Sequence, residues 1–136
     1  MRTLNGVFRL VTTMAVVFMF AGTAWADHHV VKVAKNDKVG SFLTDAKGMT
    51  LYVFKKDSPG KSACAGDCLT KWPLYYREKV GISGDLKAED FASIDREDGK
   101  KQTTYKGLPL YYFAGDKAAS DTNGQGVKDV WTVAAP

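Results

Sequence analysis

The chain is poor in the residues that most reactions recruit. Of its 136 residues only two are cysteine, Cys64 and Cys68, two are histidine, His28 and His29, and four are arginine. With both histidines next to one another near the start, no imidazole stands in the body of the chain to act as a base. Zinc spacing with four ligands and the haem-attachment pattern C-x-x-C-H are missing as well. So are a glycine-rich phosphate loop and a nucleophile elbow. No catalytic residues are therefore assigned, and the expectation is a protein that is not an enzyme. The charges are interleaved, without a long basic run, so nucleic acid is not an expected partner. No apolar run approaches the ~20 residues needed to cross a bilayer.

What is present first is an address. Arg2 and Arg9 precede an apolar stretch from Leu10 to Ala21, which leads to Ala24-Trp25-Ala26, a small-x-small cleavage signature. Residues 1–26 are read as a secretory signal peptide cut after Ala26, which leaves 27–136 as a single domain without a transmembrane span, in a periplasm or outside the cell. No cysteine precedes Cys64, so the leader offers no site for lipid attachment. The formal charge of +4 includes Arg2 and Arg9, and the remainder carries seventeen basic against fifteen acidic side chains, a weak field for any polyanion.

The body is duplicated. A shift of 59 residues superposes Lys47-Gly48 on Lys106-Gly107, Leu51-Tyr52 on Leu110-Tyr111, Phe54 on Phe113, Asp57 on Asp116 and Trp72 on Trp131. Counting Gly40 with Gly99 and Thr44 with Thr103, nine of the 33 positions from Gly40 to Trp72 are identical without a gap. The two repeats span about 40–77 and 99–136, and two copies suit one pseudo-symmetric domain better than an open solenoid. Each copy places fourteen residues between its Asp and its Trp, which predicts equal loop geometry.

Local signals are β. Ser41 to Thr44 and Thr50 to Phe54 flank Asp45-Ala46-Lys47-Gly48, where Gly48 can supply a left-handed turn residue, and Lys106-Gly107 does the same between 102–105 and 108–113. In the second hairpin strand Leu51 and Val53 share one face, and Tyr52 and Phe54 the other, so the strand is buried on both sides. Further strands are expected at 30–34, 72–76 and 130–134, with a short helix over 85–91 capped by Asp85. The fold class is mainly β, a small sandwich or barrel built from two pseudo-symmetric β-hairpin repeats with an aromatic core.

The blocks Gly48-Met49-Thr50-Leu51-Tyr52-Val53-Phe54-Lys55-Lys56-Asp57 and Gly107-Leu108-Pro109-Leu110-Tyr111-Tyr112-Phe113-Ala114-Gly115-Asp116, with Cys64 and Cys68 then Trp72-Pro73 after the first and Asp121-Thr122-Asn123-Gly124 after the second, resemble a bacterial family of secreted repeats. That family is described as predicted lipoproteins with a repeated Tyr, four residues, Asp motif. The resemblance runs from about Val30 to Pro136. It implies a small exported tandem-repeat domain and no established activity.

Four features carry candidate chemistry. In the repeat motif, Tyr52 with Asp57 and Tyr111 with Asp116 can set a phenol beside a carboxylate. The structural alternative, which is favoured, packs both tyrosines in the core and uses both aspartates to accept backbone N–H groups of the following loop. Cys64 and Cys68, spaced C-x3-C around Gly66, suit a tight disulfide in an oxidising compartment, worth about 2 kcal/mol for so small a ring. A start at Asp27-His28-His29 would put an α-amine, two amides and the His29 imidazole around Cu(II) or Ni(II) in a square plane of nitrogens, with His28 assisting. Asp121 to Gly126 with Asp129 has the look of a calcium loop but lacks the bidentate Glu, and a turn explains it more simply. The leading functional reading is an exported, non-catalytic binding or structural module that takes a protein, glycan or small ligand through exposed aromatics such as Tyr75, Tyr76 and Tyr105. Periplasmic Cu(II)/Ni(II) handling at Asp27, His28 and His29 is the alternative, and a small carboxylate-dependent enzyme the distant third.

Overall fold

Two hairpins, one from each copy, frame the chain, and the strands that follow them cross over to the opposite copy. The computed structural model describes residues 29–136. The first hairpin joins β1 (Val30–Asn36) to β2 (Gly40–Thr44), with Lys32 opposite Thr44 and Asn36 opposite Gly40. Its turn is tied by the Asn36 side chain, whose Oδ1 accepts the N–H groups of Lys38 and Val39. Then come β3 (Tyr52–Phe54), a one-turn helix α1 (Asp67–Lys71) and β4 (Gly81–Ile82), which pairs in parallel with Val30 and Val31. The second hairpin is β5 (Phe91–Asp95) with β6 (Lys101–Tyr105), to which β7 (Leu108–Pro109) is added. The last strand is β8 (Trp131–Val133). Between β6 and β7 the loop is Lys106-Gly107, with both residues at positive φ, 49° and 85°, as a two-residue hairpin of the tight mirror-image type requires.

The duplication is real in three dimensions but not free of a gap. Lys32 pairs with Thr44 as Ala92 pairs with Thr104, a spacing of 60 between copies. Past the loop Thr50 pairs with Thr44 as Pro109 pairs with Thr104, a spacing of 59. Copy two is one residue shorter in its hairpin loop. Thr44 therefore corresponds to Thr104 and not to Thr103, and the apparent identities at Gly40/Gly99 and Thr44/Thr103 are displaced by one. The hairpin partners β1 and β5 precede Gly40 and Gly99, so each structural unit opens with them.

The copies are interlaced rather than set side by side. β3 of copy one pairs with β8 of copy two, Tyr52 opposite Val133 and Phe54 opposite Trp131. Reciprocally, Tyr111 of copy two bridges to Leu74 of copy one, and the Tyr112 N–H donates to Pro73 O at 2.7 Å. At the centre Tyr52 and Tyr111 face each other and exchange both backbone bonds, at 2.8 and 3.0 Å. A local two-fold axis thus runs between these residues, and the segments 131–133, 52–54, 111–113 and 72–74 form one antiparallel ribbon. The strand expected over 72–76 does not form as such: Leu74 alone makes a bridge, to Tyr111, at the outer edge of this ribbon, and Pro73 has no N–H with which to extend the pairing.

Period-two alternation along the ribbon separates two cores. Leu51 and Leu110 point into one, with Val31, Leu43, Tyr75, Leu86 and Tyr105. Tyr52 and Tyr111 point into the other, with Phe42, Cys64, Trp72, Trp131 and Val133. The architecture is mainly β and sandwich-like, and among the described residues no barrel closes. Only a single 3-10 turn, Ala88–Asp90, forms where a helix over 85–91 capped by Asp85 was expected. Its preceding residue Lys87 makes no side-chain cap, and Phe91 already opens β5, because its ring is drawn onto Tyr105 across the hairpin at 4.9 Å.

Candidate functional site

The motif residues meet across the copies, not within them. The Tyr52 hydroxyl donates to Asp116 Oδ2 at 2.6 Å, and the Tyr111 hydroxyl donates to Asp57 Oδ2 at 2.7 Å. The other oxygen of each carboxylate serves its own loop: Asp57 Oδ1 accepts the Ala63 N–H at 2.6 Å and Asp116 Oδ1 the Asn123 N–H at 3.0 Å. Spacing alone suggested a phenol beside the carboxylate of its own repeat. Strand exchange instead delivers the partner from the other repeat, while the backbone N–H role of both aspartates is realised as well. Burial pushes both carboxyls above their usual range, partly offset for Asp57 by the Ala63 N–H and then Tyr111, and for Asp116 by Tyr52 and then the Asn123 N–H. Burial also raises the Tyr111 phenol to about 12 and lifts Tyr52 far above its ordinary value. Both phenols keep their protons and act as donors.

Above each tyrosine lies a tryptophan. Tyr52 meets Trp72 edge-on at 5.5 Å and Tyr111 meets Trp131 edge-on at 5.1 Å. The two indoles stack on the axis with centroids 3.7 Å apart and planes within 3°. Phe54 stacks on Trp131 at 4.3 Å and Phe113 on Trp72 at 4.4 Å, completing a four-ring ladder in the order Phe54, Trp131, Trp72, Phe113. The ladder is symmetric because each Phe leaves its ribbon strand opposite the Trp of the other copy.

A groove of about 780 Å³ opens along this ladder, within the size range of small-ligand sites. Its lining follows the two-fold axis. Phe54 and Phe113, Trp72 and Trp131, Cys68 and Val127, Lys56 and Gly115, and Lys71 and Val130 are all corresponding positions, and Asp67 and Lys128 complete the charged rim. A second cavity of about 700 Å³, lined by Val33, Leu86, Lys87, Glu89, Tyr105 and Pro136 among others, contains no such corresponding pairs.

The two loops that reach this groove start and end alike but differ inside, which overturns the expectation that equal length gives equal geometry. In copy one a disulfide joins Cys64 to Cys68, with Cα atoms 5.3 Å apart, and α1 follows. In copy two Gly126, Lys128 and Asp129 all have positive φ, and a distorted 3-10 turn, Val127–Asp129, replaces the helix. Asp121 Oδ2 accepts the N–H groups of Lys117 and Ala118, both at 2.9 Å, and Gln125 Oε1 accepts that of Val133 at 2.8 Å. Two of the side chains that gave this loop its resemblance to a calcium loop, Asp121 and Gln125, thus hold the backbone.

Several buried polar residues escaped the sequence reading. Arg96 donates from Nη1 to Ser62 Oγ at 2.7 Å and to Gln102 Oε1 at 2.6 Å, and from Nη2 to the Cys64 carbonyl at 2.5 Å. Asp98 holds its other edge at 3.1 Å, and Ser62 Oγ lies 2.5 Å from the Tyr111 hydroxyl. This network fastens the disulfide loop to the second hairpin. A third phenol–carboxylate pair joins Tyr112 to Asp45 Oδ2 at 2.8 Å, while Asp45 Oδ1 accepts the N–H groups of Lys47 and Met49. The Asp at the head of a hairpin loop was a readable turn signal, but nothing local announced its tyrosine. Among the described residues no buried side-chain nitrogen or oxygen lacks a partner.

Of the aromatics expected on the surface, Tyr75 and Tyr105 are 1% and 5% exposed, because the first hairpin strands and Leu86 close over them, and Tyr76 is half-buried. The exposed-aromatic face proposed for them does not exist. Asp27 and His28 of the Cu(II)/Ni(II) reading lie outside the described residues, and His29 is an exposed residue at their edge.

Fold and site define a two-copy, interlaced β module with one groove centred on its internal axis. The chain belongs to a family of secreted repeats of unknown function, whose model matches residues 33–75 and 92–135. No curated protein and no solved structure matches it. Among the described residues no helix is long and apolar enough to cross a membrane.

Proposed function

We propose that the chain is an exported, non-catalytic binding module and that the groove along the aromatic ladder is its ligand site. Export rests on the leader, cut after Ala26, and agrees with the secreted character of the family. The observation that carries the site is the ladder itself: four stacked rings on a two-fold axis, bordering a single groove. Apolar walls with a few polar groups at the rim are the usual composition of a small-molecule site.

A non-catalytic role is supported by the state of the two motif carboxylates. Each has both oxygens hydrogen-bonded, one to a phenol and one to a loop amide, and neither carboxylate lines the groove. Their raised pKa values follow from burial and do not require a reaction.

The test uses N-phenyl-1-naphthylamine, a neutral dye that brightens in apolar sites. Saturable one-to-one brightening by the protein, lost in Phe54→Ala or Phe113→Ala variants that keep their circular dichroism, is the expected result. Absence of saturable brightening, or full retention in both folded variants, would overturn the assignment.

A further inference from the structure

The groove is symmetric in its rings and asymmetric in its charge. Both phenylalanines and both tryptophans are kept at corresponding positions, yet each rim lysine faces an uncharged counterpart: Gly115 for Lys56, Val130 for Lys71 and Leu69 for Lys128. Among the described residues none of these three ammonium groups makes a hydrogen bond or an ion pair, although ion pairs do engage Lys61, Arg96 and Lys101 elsewhere. Three unengaged cations around an apolar groove have one charge opposing them on the rim, Asp67.

That one charge is not evenly placed. Asp67 and Lys71 are four residues apart on α1 and both line the groove, so they share a helix face and the Asp67 charge offsets part of that of Lys71. Lys56 and Lys128 have no such neighbour on the rim. They belong to segments brought together where the Lys55 N–H donates to Val130 O at 2.8 Å, beside the Phe54–Trp131 end of the ladder. The uncompensated positive charge therefore sits at one end of an otherwise two-fold apolar channel.

From this we infer that the ligand is a small organic anion with a flat apolar body, bound in one orientation. The body lies along the ladder and the anionic group meets Lys56 and Lys128. Charge complementarity selects the anion, and a volume of about 780 Å³ admits a body of two or three fused rings. Orientation follows because the rings alone would accept the ligand either way round, whereas the lysines occupy one end only. The inference rests on the groove being the ligand site.

The probes are three compounds of nearly equal shape: 2-naphthoate, neutral 2-naphthamide and cationic 2-naphthylmethylamine. Affinities are measured by following the indole N–H resonances of Trp72 and Trp131 in the full exported chain. Binding of the naphthoate about tenfold tighter than the amide, with the amine weakest, is expected for a charge-assisted contact. The pair Lys56→Gln with Lys128→Gln brings the naphthoate down to the amide's affinity and leaves the amide unchanged, while Lys71→Gln has less effect. Equal binding of all three, or preference for the amine, overturns the anion and leaves the groove standing. Failure of all three to move either indole, together with failure of the neutral dye, overturns the groove itself.

Discussion

The two loops that run from the motif aspartate to the tryptophan make a natural experiment. Both are fourteen residues long, both begin at a carboxylate held by the other copy's tyrosine, and both end in the stacked indole pair. Between those anchors one is pinned by a disulfide, a helical turn and Arg96, and the other by Asp121, Gln125 and left-handed backbone. The difference shows where the fold is specified. Tyr, Asp and Trp fix the ends, and two different fillings serve in between.

If the ladder is the shared element, Trp72→Ala and Trp131→Ala should destabilise equally, each by about 3–5 kcal/mol, the range for removing a large buried aromatic. Urea unfolding of the two variants measures this, and a marked inequality would break the equivalence of the copies. At corresponding inner positions the copies should instead diverge. A Cβ on Gly124 would sit 2.8 Å from both the Trp72 and Tyr52 rings, so Gly124→Ala should cost about 1–3 kcal/mol by overpacking. Ala65, its counterpart, is exposed, and Ala65→Gly should cost less than about 1 kcal/mol.

The fastenings can be removed one at a time. Replacing Cys64 and Cys68 by alanine should lower stability by about 2 kcal/mol, as expected for closing a very small ring. Asp121→Ala, which frees two loop N–H groups in copy two, should cost about 1 kcal/mol. Comparable losses would mean that chemically different devices do the same work.

The smallest effects concern acid. Carboxyl-detected NMR should place Asp57 and Asp116 above the ordinary aspartate range, and Asp98 and Asp121 below it. The signs oppose each other. The contribution of Asp98 and Asp121 is present above the unfolded value near 3.8 and is lost as pH falls through their lowered values. The contribution of Asp57 and Asp116 is fullest below 3.8 and is lost as pH rises through their raised values. If Asp57 and Asp116 shift in opposite directions, the two clasps are not equivalent.

Much of this was legible in advance because it is local. Alternation of Leu51, Tyr52, Val53 and Phe54 announced a strand with two apolar faces, and those faces are the two cores. Gly48 and Gly107 marked the hairpin loops and both take positive φ. The missing parts are those that depend on distant pairing. Spacing placed Tyr52 near Asp57, whereas strand exchange gives it Asp116, 64 positions away. Nothing local marked Arg96 and Gln102 as buried, yet both are, and they donate to Ser62 Oγ, Cys64 O and Leu110 O. Tyr75 and Tyr105 read as exposed because no sequence signal said what would cover them.

The central claim is that the repeated motif is a reciprocal clasp between copies, and a pair of double-mutant cycles tests it most directly. Tyr52→Phe combined with Asp116→Asn should show a coupling of about 0.5–3 kcal/mol in urea unfolding, whereas Tyr52→Phe combined with Asp57→Asn should be additive. Coupling confined to Tyr52 and Asp57 would contradict the account, because it would return each motif to its own repeat and leave the copies without their shared fastening.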